Sequence, residues 1–156
     1  MKGYEMDTVV IRDYRKEDWP GLQAIHDAAR KNELRLAGLE EAFLPLAIAA
    51  ESEGLFEYTV RVARLGDTAA GFSAFAEDEL AWLYVDPALS RRGIGTRLVR
   101  DALAHMGRPV TLEVLAGNEP ARRLYERCGF RLTETVSGRM PGNEAFSVTC
   151  HVLQLD

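Results

Sequence analysis

Leu80 to Met106 reads LAWLYVDPALSRRGIGTRLVRDALAHM, and the fold follows from how this stretch is divided. The apolar run Leu80 to Val85 predicts a strand, Asp86-Pro87 stops it, and apolar residues at helical spacing predict a helix from Arg91 to Met106. Gly93 and Gly95 fall where that helix opens, beside Arg91 and Arg92. The first turn of a helix carries backbone N–H groups without intrahelical partners, at the positive end of the helix dipole. Glycines let a ligand approach that backbone and arginines add charge-assisted hydrogen bonds, so the turn is a candidate phosphate or pyrophosphate site. Two other phosphate motifs are excluded. Gly95 is followed by Thr96-Arg97 rather than Lys-Ser/Thr, and Leu98 stands where a dinucleotide fingerprint needs its third glycine. Glycines at a strand-to-helix turn also serve tight packing alone, and the turn by itself does not separate the two roles.

Downstream, Gly107 and Pro109 close the helix and VTLEVL, Val110 to Leu115, predicts a strand. Val110, Leu112 and Val114 share one face, and Thr111, Glu113 and Leu115 the other. Strand, helix and strand in this order form a βαβ unit with parallel strands and a right-handed crossover, which puts the glycine turn at the strands' carboxyl ends. Asn118 to Cys128 predicts a helix capped by Asn118, with Pro120 in its first turn and Ala121, Leu124, Tyr125 and Cys128 in one stripe. Gly129 fits a left-handed C-terminal position, with Phe130 packing back. Two strands follow, Phe130 to Val136 and Ala145 to Leu155, joined by a loop from Gly138 to Asn143.

Upstream, Thr8 to Tyr14 predicts a first strand, and Asp18 before Trp19-Pro20 starts a helix carrying Trp19, Leu22, Ile25 and Ala29 on one face. Gly38 breaks it. Leu39 to Glu53 predicts a second helix that Pro45 must start, kink or interrupt. Period-two alternation from Phe56 to Ala63 predicts a strand, Leu65-Gly66-Asp67 a turn, and Thr68 to Ala76 a further strand with Gly71 as a possible bulge. Glu77-Asp78-Glu79 forms a polar turn into the strand at Leu80.

With 156 residues, 47% of them hydrophobic, the chain fits one domain, 1–156, with a proper core. A net charge of −5 argues against nucleic acid as a partner and is compatible with an amine-bearing substrate. The two cysteines, Cys128 and Cys150, have no disulfide or metal-ligand spacing and read as small buried hydrophobes, so no metal is expected. MKGYEMDTVVIRDY has no apolar core of signal-peptide length, and no run approaches the ~20 residues of a membrane span. A cytoplasmic protein without a membrane partner is expected. His26 reads as a partly buried or surface histidine, and His105 and His151 as structural.

Three blocks, VDPALSRRGIGTRL (Val85 to Leu98), LEV (Leu112 to Val114) and NEPARRLYERCGF (Asn118 to Phe130), resemble in order and spacing the GNAT superfamily of acetyl-CoA-dependent N-acetyltransferases. The resemblance implies a single α/β (α+β) domain: a mixed, mostly antiparallel sheet with a splayed parallel strand pair and helices on both faces. It implies acetyl-CoA as co-substrate and a primary amine as acceptor, with direct attack in a ternary complex. The CoA pyrophosphate would lie on the backbone of Arg91, Arg92, Gly93, Ile94, Gly95 and Thr96, and the pantetheine arm against Leu83, Tyr84 and Val85. Ser90 departs from the family's usual Gln or Arg. The resemblance assigns Asn118 to the cofactor and makes Tyr125 the acid that protonates the departing thiolate, a task suited to a phenol of pKa near ~10.

Glu113 matches the base of the ribosomal-protein alanine acetyltransferases, with Glu79 as the alternative. Both main candidates have plainer readings: Tyr125 as a core side chain, Glu113 as a solvated or ion-paired one. The family's acceptor is set by segments matching Ala37 to Phe43 and Gly138 to Asn143, which carry no legible motif; the L-E-V block tilts toward a peptide or protein α-amine over small-molecule amines. A homodimer is common in such proteins. The rival function is a non-catalytic acyl-CoA-binding regulatory module of the same fold.

Overall fold

The computed structural model describes residues 8–156; the start of the stretch read for a signal peptide, residues 1–7, lies outside them. β1 (Val9–Asp13) leads to α1 (Trp19–Leu36) and α2 (Leu46–Ser52), followed by β2 (Thr59–Leu65), β3 (Thr68–Phe75) and β4 (Leu80–Val85). α3 (Ile94–Ala104), β5 (Val110–Leu115), α4 (Glu119–Arg127), β6 (Arg131–Met140) and β7 (Asn143–Leu155) complete the chain. The strands form two antiparallel sheets, ordered β1-β2-β3-β4 and β5-β7-β6.

Between the sheets, β4 and β5 run parallel and meet only at their beginnings, in an isolated bridge between Glu79 and Thr111. The N–H of Thr111 donates to the Asp78 carbonyl at 2.9 Å, and that of Gly107 to the Glu77 carbonyl at 2.9 Å. The polar turn before β4 therefore pins the start of both strands, and beyond it they diverge.

Alternation along the strands places helices on both faces. Val60, Val62, Phe72, Ala74 and Trp82 pack with Leu22 and Ile25 of α1 and with Leu46, Ala49 and Ala50 of α2. Ala63 and Ala70 on the opposite face meet Ile94 and Leu98 of α3. A further core joins Val99 and Ala102 of α3 to Leu112, Val114, Tyr125, Phe130 and Leu153. Leu22, Leu46 and Leu98 are wholly buried, each stabilising the fold by about 1.5–3 kcal/mol.

Several boundaries differ from the sequence expectations, each for a local reason. The third helix begins at Ile94, not Arg91, because Arg91 (φ 66°) and Gly93 (φ 78°) are left-handed and keep the glycine turn out of the helix. Pro45 stands at the N-cap of α2, so the expected helix from Leu39 splits into a 3₁₀ turn, Glu40–Ala42, and the short α2. The expected loop from Gly138 to Asn143 is mostly strand, with a turn at Pro141-Gly142. Gly71 lies beside the irregularity in the β2–β3 pairing, and its tighter constraint is close approach: a Cβ there would stand 2.8 Å from the Tyr84 carbonyl oxygen. Asp18 does start α1, but its side chain caps nothing in the helix. It is buried, accepting two hydrogen bonds from Arg12, at 2.8 and 2.9 Å, and one from the Arg15 N–H at 2.8 Å. These hydrogen bonds, Arg12 foremost, hold its carboxyl below the usual range.

Candidate active site

The divergence of β4 and β5 leaves a gap with a cavity on either side of it. The larger, about 760 Å³, lies between the end of β4, the glycine turn and α4. The smaller, about 200 Å³, lies between α1, β4, the end of β5 and the β6–β7 turn. They meet at Glu33, Leu83, Tyr84, Asn118 and Ala121.

The larger cavity has the glycine turn along one side, with residues of α1 and α4 on the others. Asp86 accepts from the Ala88 N–H at 2.9 Å and shapes the turn after β4. Left-handed Arg91 and Gly93 then bend the chain ahead of the free N–H groups of α3, a backbone form suited to anions. The two glycines do different work. No heavy atom lies within 4 Å of where a Gly93 Cβ would stand, so this glycine serves backbone conformation and leaves the turn open. A Gly95 Cβ would come 3.0 Å from Leu124 Cδ2, so this one serves the packing of α3 on α4. Leu83, Tyr84, Val85, Arg91, Gly93, Ile94, Gly95, Thr96 and Asn118 all line this cavity; of the residues expected there, Arg92 does not. Arg123 and Arg127, one turn apart on α4, also line it. Their positively charged side chains lay within a quoted block but had no expected role.

Apolar side chains form most of the lining of the smaller cavity, and Glu33, Glu53, Glu113, Tyr84 and Tyr125 stand among them. Tyr125 lines it and packs edge-on to Phe130, with ring centroids 5.9 Å apart, so the tyrosine belongs to the core and to the cavity at once. Burial, then Glu33 and Cys128, push its pKa up, so the hydroxyl stays protonated at neutral pH. Glu113, exposed in the middle of β5, lines the same cavity. Glu79, the alternative base, lines neither cavity; it accepts from the Tyr58 hydroxyl at 3.2 Å at the closed end of the gap.

Where the cavities meet stands a carboxylate that the sequence did not single out. Glu33 of α1 accepts from Arg30 at 3.0 Å and from the Asn118 side-chain amide at 3.3 Å. The carbonyl oxygen of the same Asn118 side chain accepts from the Ala121 N–H at 3.4 Å and caps α4. Burial pushes the Glu33 pKa up, opposed by Arg30, Tyr84 and Asn118. Burial works against the charge on Arg30, but Tyr84, Glu33 and Glu53 more than offset it. His26, buried rather than partly exposed, lines the cavity too, 4.9 Å from the Tyr84 ring, with burial lowering its pKa. In the sequence, Arg30 and Glu33 were only polar positions on an amphipathic helix; no local spacing set them apart. Among the described residues no group of three or more His, Cys, Asp or Glu could hold a metal ion, and no helix is long and apolar enough to cross a membrane.

Residues 8–130 match the Acetyltransferase (GNAT) family. Over 78 residues the chain is 38% identical to the N-alpha-acetyltransferase RimI of Mycobacterium tuberculosis (strain ATCC 25618 / H37Rv), a match covering 44% of this chain and 49% of that protein, about half its length. The crystal structure of a GCN5-related N-acetyltransferase from Rhodopseudomonas palustris superimposes with a TM-score of 0.76 over 96% of both chains at 22% identity. The structure of YncA from Salmonella typhimurium, solved with its cofactor acetyl-CoA, gives 0.64 over 95% of this chain and 93% of that one at 19% identity. At these identities the two structures establish a shared fold.

Proposed function

The chain belongs to the acetyltransferase (GNAT) family, and from that premise we propose that it transfers an acetyl group from acetyl-CoA to a primary amine, by direct attack in a ternary complex within one domain spanning residues 1–156. The observation that carries this is the pair of cavities meeting in the gap between β4 and β5. One is lined by backbone donors and arginines suited to a pyrophosphate, the other by a buried phenol and carboxylates suited to proton transfer.

The glycine turn, with Arg91, Arg123 and Arg127, holds the phosphates, and Leu83 to Val85 at the divergent end of β4 receive the pantetheine arm. Acetyl-CoA supplies the thioester carbonyl. An amine near neutral pH is mostly protonated, with a pKa of about 8 to 10.4, and must lose a proton to attack. Glu113 accepts that proton, directly or through water. Tyr125, kept neutral by burial, gives its proton to the sulfur as the C–S bond breaks, and the second proton, shed by the nitrogen as the amide forms, restores the phenol directly or through water. Positioning at the junction provides much of the rate, and the proton transfers add about 10²-fold to 10⁴-fold.

The test is release of free CoA thiol from acetyl-CoA across a panel of amines, with Tyr125→Phe alongside. Amine-dependent release should fall about 100-fold in kcat in the variant, with acetyl-CoA affinity within twofold of the parent. Binding of acetyl-CoA without release for any amine would point instead to a non-catalytic acyl-CoA-binding module.

A further inference from the structure

The acceptor side of the gap carries more information than the transfer reaction needs. Two segments contribute to its wall: the stretch between α1 and α2, through Ala42 and Leu44, and the end of β6 with the turn after it, through Met140 and Pro141. They are joined to each other. The Asn143 side-chain amide donates to the Ala42 carbonyl at 2.9 Å, and Met140 is buried in a cluster with Leu34, Ala42 and Leu115. A Cβ on Gly142 would stand 2.8 Å from Ser52 Oγ, so the turn sits directly on the end of α2. An extended chain could pass between these segments only by breaking the Asn143 bond and lifting Met140 out of its cluster. At about 200 Å³ the cavity is also smaller than the roughly 300–1,000 Å³ usual for ligand sites.

Its charge is equally one-sided. Glu33, Glu53 and Glu113 line it from three separate parts of the chain, against the single guanidinium of Arg30. Arg30 donates to Glu33 at 3.0 Å, and its charge also acts on Glu53. Glu53, just beyond α2, and Glu113, on β5, are both exposed and both line the cavity, one carried by the helical layer and the other by the sheet.

We propose that the acceptor is a short aliphatic diamine, seated with one amine at Glu113 for acetylation and its second, cationic amine toward Glu53, and that peptide ends are excluded by the joined segments. The proposal rests on the acetyl-transfer function above. In the reaction the ammonium gives one proton to Glu113, the N–C bond forms, the C–S bond breaks as the thiolate takes the Tyr125 proton, and the second proton that the nitrogen sheds as the amide forms restores the Tyr125 phenol directly or through water; the second amine stays protonated throughout.

The experiment measures kcat/KM by CoA release for 1,4-diaminobutane, butylamine, free alanine and an alanine-led hexapeptide, in the parent protein and in Glu53→Gln. The diamine should exceed butylamine by about tenfold or more, with the peptide lowest, and Glu53→Gln should bring the diamine-to-butylamine ratio close to one. A ratio unchanged by Glu53→Gln, or a peptide or alanine used as well as the diamine, would overturn the diamine assignment while leaving acetyl transfer standing. No release with any of the four would overturn the diamine assignment, and acetyl transfer itself would fall only if the wider amine panel also gave no release while calorimetry showed acetyl-CoA binding.

Discussion

The two cavities that meet between β4 and β5 are built by opposite means. The larger takes its anion-facing side from one continuous stretch, Val85 to Thr96, whose left-handed residues and open N–H groups present backbone, with α1 and α4 closing its other sides. The smaller is assembled from side chains delivered by α1, the segment after it, α2, β4, β5, α4, β6 and β7. A backbone site needs particular residue types at consecutive positions, because only glycine tolerates certain angles and approaches. A side-chain site needs only that distant elements arrive together, and any polar residue on the correct face can serve. The first kind of site leaves a local signature; the second leaves almost none.

The contrast can be tested from each side. Removing the proposed proton acceptor should have the largest effect: Glu113→Gln should lower kcat about 100-fold at pH 7 while acetyl-CoA affinity stays within twofold. That deficit should narrow as pH rises toward the pKa of the amine, since the free amine then forms without help. A deficit constant across pH would show that Glu113 positions the acceptor and takes no proton.

Next in size is the anchor of the acceptor-side wall. Asp18 fixes the start of α1, the helix that delivers His26, Arg30 and Glu33, so Asp18→Asn should cost about 1.5–3 kcal/mol in urea unfolding. It should raise KM for the amine more than for acetyl-CoA. Because the folded pKa of Asp18 is depressed, its contribution to stability is present above the unfolded value of about 3.9 and is lost as pH falls through the folded value. The parent should therefore lose stability more steeply than the variant below about pH 4. Parallel curves would remove Asp18 from that account.

The smallest effect is expected at the backbone site. Gly93→Val places a β-branched residue at φ 78°, a strain of about 1–2 kcal/mol. Acetyl-CoA affinity should drop about tenfold by calorimetry, with the amine KM unchanged. An equal loss on both substrates would mean that the cavities are not separable and would break the comparison.

Much of the fold was legible for the same reason. Polar and apolar residues alternate along β2 and recur at helical spacing along α1, and glycines or prolines stand at the breaks, so strands and helices appeared in the right order. The boundaries that moved are those where one residue's conformation overrode a longer pattern: Arg91 and Gly93 delayed α3, and Pro45 shortened α2. The turn at Pro141-Gly142 was hidden because Gly138 looked like a loop residue, whereas cross-strand pairing with β7 carries β6 through it to Met140.

The sequence by itself determined the strand-turn-helix that opens the larger cavity, the Asn118 cap and the placement of Tyr125 on an apolar helical stripe, because each depends on neighbours within a few residues. The tertiary structure alone decided that Asn118 also donates to Glu33, that Glu33, Glu53 and Glu113 share one cavity, and that Asn143 ties the hairpin to Ala42. Asn143 and Ala42 are 101 residues apart, and their contact exists only because two sheets diverge from a single bridge and the hairpin folds back across the gap.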